Sequence, residues 1–515
     1  MLRNRIAASL GTSAATAALI GVYVLLALFV VGMLLLLLNP YLGLYQVFVT
    51  GLTVSLSLIA FRYVYFYYCV IRYRHDFDGH ACATPAKPRN WPYLKFQVTT
   101  KGGALETVER SLHILEDFCR NHRSLATKIR AEVITEKQSE AVHLDRVFAT
   151  SPLKVSALCL PPTYQTPRGT KLKARGMHYL VELRRRGFNK LPGKTYIVHL
   201  DDETIITEEE LTVLGTYLSR PDAKPITEGP IYYPLEWADA PWICRTVESI
   251  RPFGCSECAH VMQNPPPSHL HGSNLVVEEQ TENLIGWDIG TLDGQPFIAE
   301  DLVFGLKAYS MLGPDAFGWH GATMYEQPPF SLYWSFRQRQ RWVLGAMQGL
   351  RALWRSPDFE GISRWRKARI QFSVSYRLAT YVLGFPVGLA GFMFLIRNIV
   401  TGAGLGGFGT VSIWTPMVLV AGVGWLLSYQ IGLARNLRLL NLPWHQRLKQ
   451  HLVVLAMTPV AGLADTIGPF TAAVKWTLGL RRVSWKPTLK VSGQTPAAAP
   501  PPPVMAPEIA GGRGA

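Results

Sequence analysis

Apolar residues follow three different patterns along this chain, and each predicts a different kind of element. Two blocks are apolar almost without interruption. From Ile6 to Phe61 there is no Asp, Glu, Lys or Arg, and an apolar run of about 20 residues already spans a bilayer as a helix. Asn39-Pro40 divides this block, predicting spans near residues 14–38 and 48–68. A cleaved signal peptide, with an apolar core of about 7–15 residues, is too short to account for it. The second block starts after Arg377. Residues 378–396 are uncharged, Arg397 interrupts, and 398–434 are uncharged again. A further apolar stretch, 452–474, contains Asp465, Pro459 and Pro469 and has basic residues on both sides. A re-entrant or interface-lying helical pair keeps those flanks on one side; a fifth span would carry Arg481, Arg482 and Lys486 across.

Between the two blocks the periods change to those of a soluble domain. Strand-like runs at 93–99, 129–134, 155–160 and 196–200 are separated by helical patterns. One helix carries Leu105, Val108, Leu112 and Leu115 at spacings of three and four; another covers 171–186. Thr207 with Glu210 predicts a capping box. Alternating strands and helices predict an α/β fold with a mostly parallel sheet, whose ligands lie outside the carboxyl ends of the strands.

Charge sets the orientation. Of 515 residues only 17% are charged and 48% are hydrophobic, with a net charge of +16. This excludes a purely cytosolic enzyme, a disordered chain and a secreted disulfide scaffold. Arg3, Arg5, Arg62, Arg72, Arg74, Arg435, Arg438, Arg447 and Lys449 flank the spans, whereas the links between paired spans carry only Arg397. Positive flanks face the cytoplasm, so residues 71–377 lie there together, and anionic membrane lipids explain the basic excess. No basic module for a nucleic-acid partner occurs. The expected organisation is a cytoplasmic segment (1–13), two spans (14–70), an α/β domain (71–329), interface helices (330–377), two spans (378–434), a basic loop with a re-entrant or fifth segment (435–492) and a Pro/Ala-rich disordered tail (493–515). Frequent Ala, Gly and Arg point to a GC-rich bacterium, and so to its inner, plasma membrane.

Candidate chemistry sits at the strand ends. In His199-Leu200-Asp201-Asp202-Glu203 an apolar strand runs into three acids. A solvated turn is one reading; a divalent-cation site is the other, since Mg²⁺ and Mn²⁺ take carboxylates and complete their shell with diphosphate oxygens. In a continuing strand Asp201 and Glu203 share a face and Asp202 points away. Glu300-Asp301 precedes an apolar helix start, and Gln338-Arg339-Gln340-Arg341-Trp342 lies in an amphipathic stretch. Cys255 and Cys258, with His260, His269 and His271 nearby, allow a zinc site without matching a standard ligand spacing.

A strand-end DxD-like motif, an ED pair about a hundred residues later and QxxRW, in that order, resemble the membrane-bound glycosyltransferases of family 2, relatives of cellulose, chitin and hyaluronan synthases. The segments "PPTYQTPRGTKLKARGMHYLVE", "YIVHLDDETIITEEEL", "HGSNLVV", "AEDLVFGLKAY" and "MYEQPPFSLYWSFRQRQRW" are similar to Egghead-type β-1,4-mannosyltransferases, a likeness covering roughly 20–480. The resemblance implies a Rossmann-like GT-A catalytic domain inserted between transmembrane segments, a nucleotide-sugar donor and an inverting transfer. On its motifs Asp201 and Glu203 match the metal-binding acids, Glu203 standing where Asp is usual. Asp301 matches the general base, with Glu300 beside it. Thr99, Thr100, Lys101, Glu136, Lys173, Arg175, Asp202, Gln338, Arg341 and Trp342 fall in the donor-binding set; His271, Gly272 and again Trp342 fall on the acceptor side. The expected cofactor is Mg²⁺ or Mn²⁺. The expected partners are GDP-mannose or UDP-glucose as donor and a lipid-linked or glycan acceptor. A processive β-glucan or β-mannan synthase and a non-catalytic membrane scaffold are the alternatives.

Overall fold

The computed structural model describes residues 44–77, 87–267, 269–401 and 414–480. The span expected at 14–38, Cys82 and the Pro/Ala-rich tail lie outside them. Seven strands form the main sheet: β1 (Tyr93–Thr99), β2 (Ile129–Thr135), β3 (Lys154–Cys159), β4 (Thr195–Leu200), β5 (Ile226–Glu228), β7 (Leu275–Glu278) and β10 (Phe317–Trp319), in the order β10-β5-β7-β4-β1-β2-β3. β6 (Ile231–Tyr232) and β11 (Met324–Tyr325) form a separate parallel pair, and β8 (Thr291–Leu292) and β9 (Gln295–Pro296) a short antiparallel one. In the main sheet β7 runs antiparallel to β4 and β5, and every other pairing is parallel.

A parallel sheet needs both faces covered, and β1 shows how. Leu94, Phe96 and Val98 pack with Leu112, Leu115 and Phe118 of the helix Leu105–Asn121. Lys95 and Gln97 alternate to the opposite face, where they are also buried. There they join an ion network that a purely apolar reading of the strand does not contain. Lys95 pairs with Glu279 at 3.1 Å, while Arg184 reaches Gln97 at 2.9 Å and Glu282 at 2.6 Å. His199 Nε2 lies 2.9 Å from Glu282, and Trp287 Nε1 donates to it at 2.6 Å. Burial pushes the Glu282 carboxyl up, but Arg184 and His199 outweigh this and hold it at about 2. The network therefore fixes β1 and β4 against the helix Lys173–Arg185; β4 ends, and that helix begins, at the cavity described below.

The capping box forms by half. Thr207 Oγ1 accepts from Glu210 N, but the Glu210 carboxylate takes the Thr323 N–H at 2.7 Å instead of returning to the cap. A neighbouring chain segment thus claims the acceptor that local sequence alone assigns to the helix.

The helix Leu44–Arg72 covers the described part of the first apolar block, and Arg364–Thr401 and Trp414–Asn436 form the second. The stretch 452–474 is not a helical pair: it belongs to one helix, Trp444–Thr477, with Pro459 and Pro469 inside it. Packed neighbours re-satisfy the backbone groups that proline frees in such helices. Three helical segments, Val54–Arg72, Met417–Asn436 and Trp444–Thr477, are long and apolar enough to cross a membrane. Phe61, Val64, Leu419, Val423, Leu452 and Val460 are exposed on them, which suits lipid and not water. Membrane association follows from length, composition and these faces.

The helix Arg251–Gln263 joins the two parts. Arg62 pairs with Glu257 at 2.5 Å, and Arg435 donates to Pro252 O at 2.6 Å and to Ser256 Oγ at 3.1 Å. Gly432 lets the backbones touch, since a Cβ there would stand 1.8 Å from Ser249 O.

Candidate active site

One cavity of about 1150 Å³ collects the candidate residues from seven separate stretches of chain. It opens beyond the carboxyl ends of β1, β2 and β4, where the sheet's central strands stop and helices begin. Every residue assigned a donor, metal, base or acceptor role in the sequence lines it.

β1 delivers Thr99, Thr100 and Lys101. Thr100 N donates to Ile134 O at 2.9 Å, tying the end of β1 to β2, and Thr100 Oγ1 donates to Asp202 Oδ2 at 3.2 Å. At the end of β2, Glu136 pairs with Arg175 at 2.8 Å. The chain enters the next helix through Leu172, whose φ of +61° is unusual for a branched side chain. Lys173 follows, in an ion pair with Asp201, and donates to Gly272 O at 3.2 Å.

The acids after β4 do not continue the strand. Asp201 N donates to Thr204 Oγ1 at 3.1 Å and Asp201 O accepts from Thr204 N at 3.2 Å, so residues 201–204 form a turn. The expectation that Asp202 points away rests on strand alternation and fails for this reason. Asp201, Asp202 and Glu203 all line the cavity, with Glu203 only 3% exposed.

Glu300 and Asp301 open the helix Glu300–Leu312, whose N-terminal dipole favours negative charge. Leu302 N donates to Asp301 Oδ1 at 2.8 Å. Burial, then the neighbouring Glu300 charge, pushes the Asp301 carboxyl up to about 7. A Cβ built on Gly272 would lie 3.5 Å from Asp301 Oδ2 and 3.6 Å from Lys173 Nζ, so this glycine keeps the space beside both groups narrow but open. Next to it, His271 Nδ1 lies 2.9 Å from Glu228. Burial lowers His271, but Glu228 more than offsets it and raises it to about 9. The imidazolium is therefore the neutral-pH form.

The QRQRW segment lies in the helix Leu332–Arg355, capped by Ser331 accepting from Trp334 N. Its residues face two ways. Gln338, Arg341 and Trp342 line the cavity, and Glu300, Asp201 and Glu203 surround the Arg341 guanidinium with negative charge. Arg339, fully buried, faces the membrane helices instead. It pairs with Asp465 and, at 2.9 Å, with Glu248, and donates to Ser335 Oγ at 2.9 Å. The motif is thus held from behind by buried charge. Arg339→Ala strands two carboxylates and is expected to cost about 3–5 kcal/mol. Thermal unfolding of the detergent-solubilised protein checks this.

Two residues at or behind the cavity, Arg251 and Glu228, carry no sequence signal, and Cys258 joins them beside the histidines. Arg251 sits with its guanidinium 3.6 Å from the Tyr233 ring and 4.6 Å from the Trp342 ring. Glu228, the partner of His271, ends a three-residue strand too short to show alternation. Cys258 Sγ lies 3.1 Å from His269 Nε2 and 3.6 Å from His271 Nε2. Among the described residues no group of three or more His, Cys, Asp or Glu is arranged to hold a metal ion, the cysteine pair and its histidines included. Asp201 and Glu203 do fit a hard cation that shares its ligands with a phosphate, because both present oxygen donors to one cavity.

A Rossmann-like sheet with acids at its carboxyl edge, joined to apolar helices long enough to cross a membrane, defines a membrane-associated α/β protein of the GT-A type. The chain belongs to the Glycosyl transferase family group 2, which matches residues 196–463, just over half of its length. Among curated relatives it is 26% identical over 296 residues to the β-1,4-mannosyltransferase egh of Drosophila melanogaster, covering 57% of this chain and 60% of that protein. It is 27% identical over 266 residues to the β-1,4-mannosyltransferase bre-3 of Caenorhabditis elegans, covering 51% and 54%. The chain thus spans less than two thirds of the length of these relatives. Among solved structures, the mannosyltransferase PcManGT from Pyrobaculum calidifontis, in complex with GDP-Man and Mn2+, aligns at 14% identity and a TM-score of 0.40, over 75% of this chain and 100% of that one. S. aureus TarS 1–349 with UDP-GlcNAc aligns at 12% and 0.33, over 75% and 92%. Residues 196–463 thus form a glycosyltransferase domain of that family. The bacterial source expected from residue usage finds no support in the curated relatives, which are animal proteins.

Proposed function

We propose that the protein is an inverting hexosyltransferase that moves mannose from GDP-mannose to a hydroxyl of a lipid-linked or glycan acceptor, forming a β-linkage. The observation that carries this reading is the convergence of Asp201, Glu203, Asp301, Arg341 and Trp342 on one cavity at the carboxyl edge of the sheet. The mannosyltransferase names of the curated relatives support the choice of sugar.

In this reading Asp301 takes the proton of the acceptor hydroxyl as its oxygen bonds to the anomeric carbon. The bond from that carbon to the diphosphate oxygen breaks, and its electron pair leaves with the nucleoside diphosphate. Arg341 offers the diphosphate paired N–H donors, Lys173 adds a second positive charge, and Trp342 presents a ring face to a sugar. Thr99, Thr100, Lys101, Glu136, Arg175, Asp202 and Gln338 border the nucleotide; His271 and Gly272 border the acceptor. A divalent Mg²⁺ or Mn²⁺ would be held by Asp201 and Glu203 and would neutralise charge on the departing diphosphate. In this reading the cavity faces the cytoplasm, which the basic flanks support.

Nucleotide release by the purified protein with Mg²⁺ or Mn²⁺ tests the reading, comparing GDP-mannose with UDP-glucose in the presence of membrane lipid extract. Release of GDP with a single added sugar is the expected result. UDP release with a growing polymer replaces it with a processive synthase, and no turnover with any donor replaces it with a scaffold.

A further inference from the structure

Arg251 has no part in the chemistry described above, yet it stands between Trp342 and the membrane helices. Its guanidinium lies 3.6 Å from the centre of the Tyr233 ring and 4.6 Å from that of Trp342, and its Nη1 pairs with Glu248 at 3.1 Å. Glu248 pairs in turn with Arg339 at 2.9 Å, and Arg339 with Asp465 of the helix Trp444–Thr477. We propose that Arg251 is a positioning residue for Trp342, and that the chain of charges Asp465, Arg339, Glu248 and Arg251 ties the placement of this ring to the membrane helix. The use of Trp342 as a platform for a sugar belongs to the transferase reading above, on which this inference rests.

Signs alternate along the four groups, so each inner member has an opposite charge on both sides. Arg339 and Glu248 are fully buried and Asp465 nearly so. Removing one member strands its neighbours in a medium that penalises unpaired charge, and the four therefore hold together as a unit. Arg251 ends the chain at the cavity wall. Trp offers a cation the most favourable aromatic face, and a planar guanidinium can stack on it where an ammonium cannot. Trp342 keeps 37% of its surface exposed and lines the cavity. Arg251 thus holds one part of the ring and leaves the rest for a sugar.

The backbones meet where the charges do. Gly468 follows Asp465 by three residues, and a Cβ on it would stand 2.8 Å from Phe336 O and 3.3 Å from Arg339 Cβ. Glycine is what lets the membrane helix touch the helix Leu332–Arg355 at this level. Three residues further on, Thr471 Oγ1 accepts from Gln340 Nε2 at 3.2 Å. A second membrane helix, Trp414–Asn436, steadies the other ring. Tyr233 N donates to Asn436 Oδ1 at 2.8 Å, and Asn436 Nδ2 donates to Glu248 O at 3.4 Å. Both rings that flank Arg251 are therefore referenced to membrane helices, and a displacement of Trp444–Thr477 reaches Trp342 through buried charge.

The test uses the full chain in phosphatidylcholine nanodiscs, with fluorotryptophan at all 14 Trp positions. Fluorine NMR identifies the Trp342 signal by its loss in Trp342→Phe. Arg251→Met is expected to shift or broaden this signal and leave the others in place, with GDP affinity by calorimetry unchanged. Arg251→Lys keeps the charge without the planar fork and should fall between. Asp465→Asn is expected to move the same signal from the membrane side. If that variant does not fold, Gly468→Ala, which wedges the helices at Arg339, takes its place. With membrane lipid extract as acceptor, Arg251→Met should raise the half-saturating amount of extract about tenfold, in line with the worth of a desolvated cation–π contact, and keep the maximal rate. In a Trp342→Ala background it should add nothing, because a residue acting through another is not additive with it. A Trp342 signal indifferent to Arg251→Met, or additive effects of the two substitutions, overturns the positioning role. Loss of GDP affinity overturns it too, by making Arg251 a donor ligand. A signal that ignores both Asp465→Asn and Gly468→Ala overturns the tie to the membrane helix. The NMR readout needs no turnover, so absence of transfer by the unmodified protein would strike the transferase reading and not the placement of the ring.

Discussion

Asp301→Asn is expected to lower sugar transfer by about 10²–10⁴-fold, the usual contribution of a positioned general base, while leaving donor binding nearly unchanged. The substitution keeps the shape of the side chain and its oxygen for the Leu302 N–H, but removes the group that takes the proton. Single-turnover transfer and calorimetric titration with nucleotide separate the two effects. A variant that still turns over near the normal rate removes Asp301 from the base role. A variant that loses donor affinity in proportion to rate makes its carboxylate part of nucleotide binding.

The same residue sets a pH dependence. With Asp301 pushed up to about 7 by burial and by Glu300, the carboxylate form needed for catalysis is the minor species below that pH. The ratio kcat/KM is therefore expected to rise about tenfold per pH unit well below 7 and to level off above it, since this ratio reports groups of the free enzyme. His271 stays cationic across this range, being raised to about 9, and does not contribute the limb. In Asp301→Asn any residual activity should lose this limb. A profile flat from pH 5 to 8 in the unmodified protein would contradict the assignment.

Sequence periodicity locates the elements that are long enough to repeat. The strands expected at 93–99, 129–134, 155–160 and 196–200 match β1 to β4 within a residue at each end, because six or seven residues show both an apolar run and its turn signals. β5, β6, β10 and β11 have two or three residues each, and alternation cannot appear in so few. The site motifs were legible because their chemistry concentrates acids and arginines in short runs. Their geometry was less so. Asp202 faces the cavity because Thr204 captures the Asp201 backbone and turns the chain, a side-chain effect that strand periodicity does not encode. Glu228 and Arg251 reach the site by tertiary contact alone, and nothing beside them in sequence marks them. The helix Trp444–Thr477 shows the same limit: its prolines and Asp465 read as breaks, yet Asp465 is matched by Arg339 from a helix about 126 residues earlier. A buried charge in a membrane helix is interpretable only with its partner known.

Asp201→Ala is the counterpart expected to act on binding and not on proton transfer. In the proposed assignment Asp201 and Glu203 hold the cation shared with the donor diphosphate, and Lys173 pairs with the same Asp201. Losing even an outer partner of a metal ligand costs about 10–100-fold in metal affinity or activity, so losing a ligand is expected to cost at least about 100-fold in Mn²⁺-dependent donor affinity. The measurement is donor affinity with and without Mn²⁺. In the unmodified protein Mn²⁺ should tighten binding, and in Asp201→Ala that increment should vanish, leaving the weaker metal-free affinity. Removal of Asp201 also frees the Lys173 ammonium for the diphosphate, so the metal-free affinity of the variant should equal or exceed that of the unmodified protein. Lys173→Met in the same background should abolish this gain. An Asp201→Ala variant whose donor binding still tightens with Mn²⁺ to the normal extent would place the cation on other ligands, and one that loses metal-free binding as well would make Asp201 a structural partner of Lys173 and not a metal ligand.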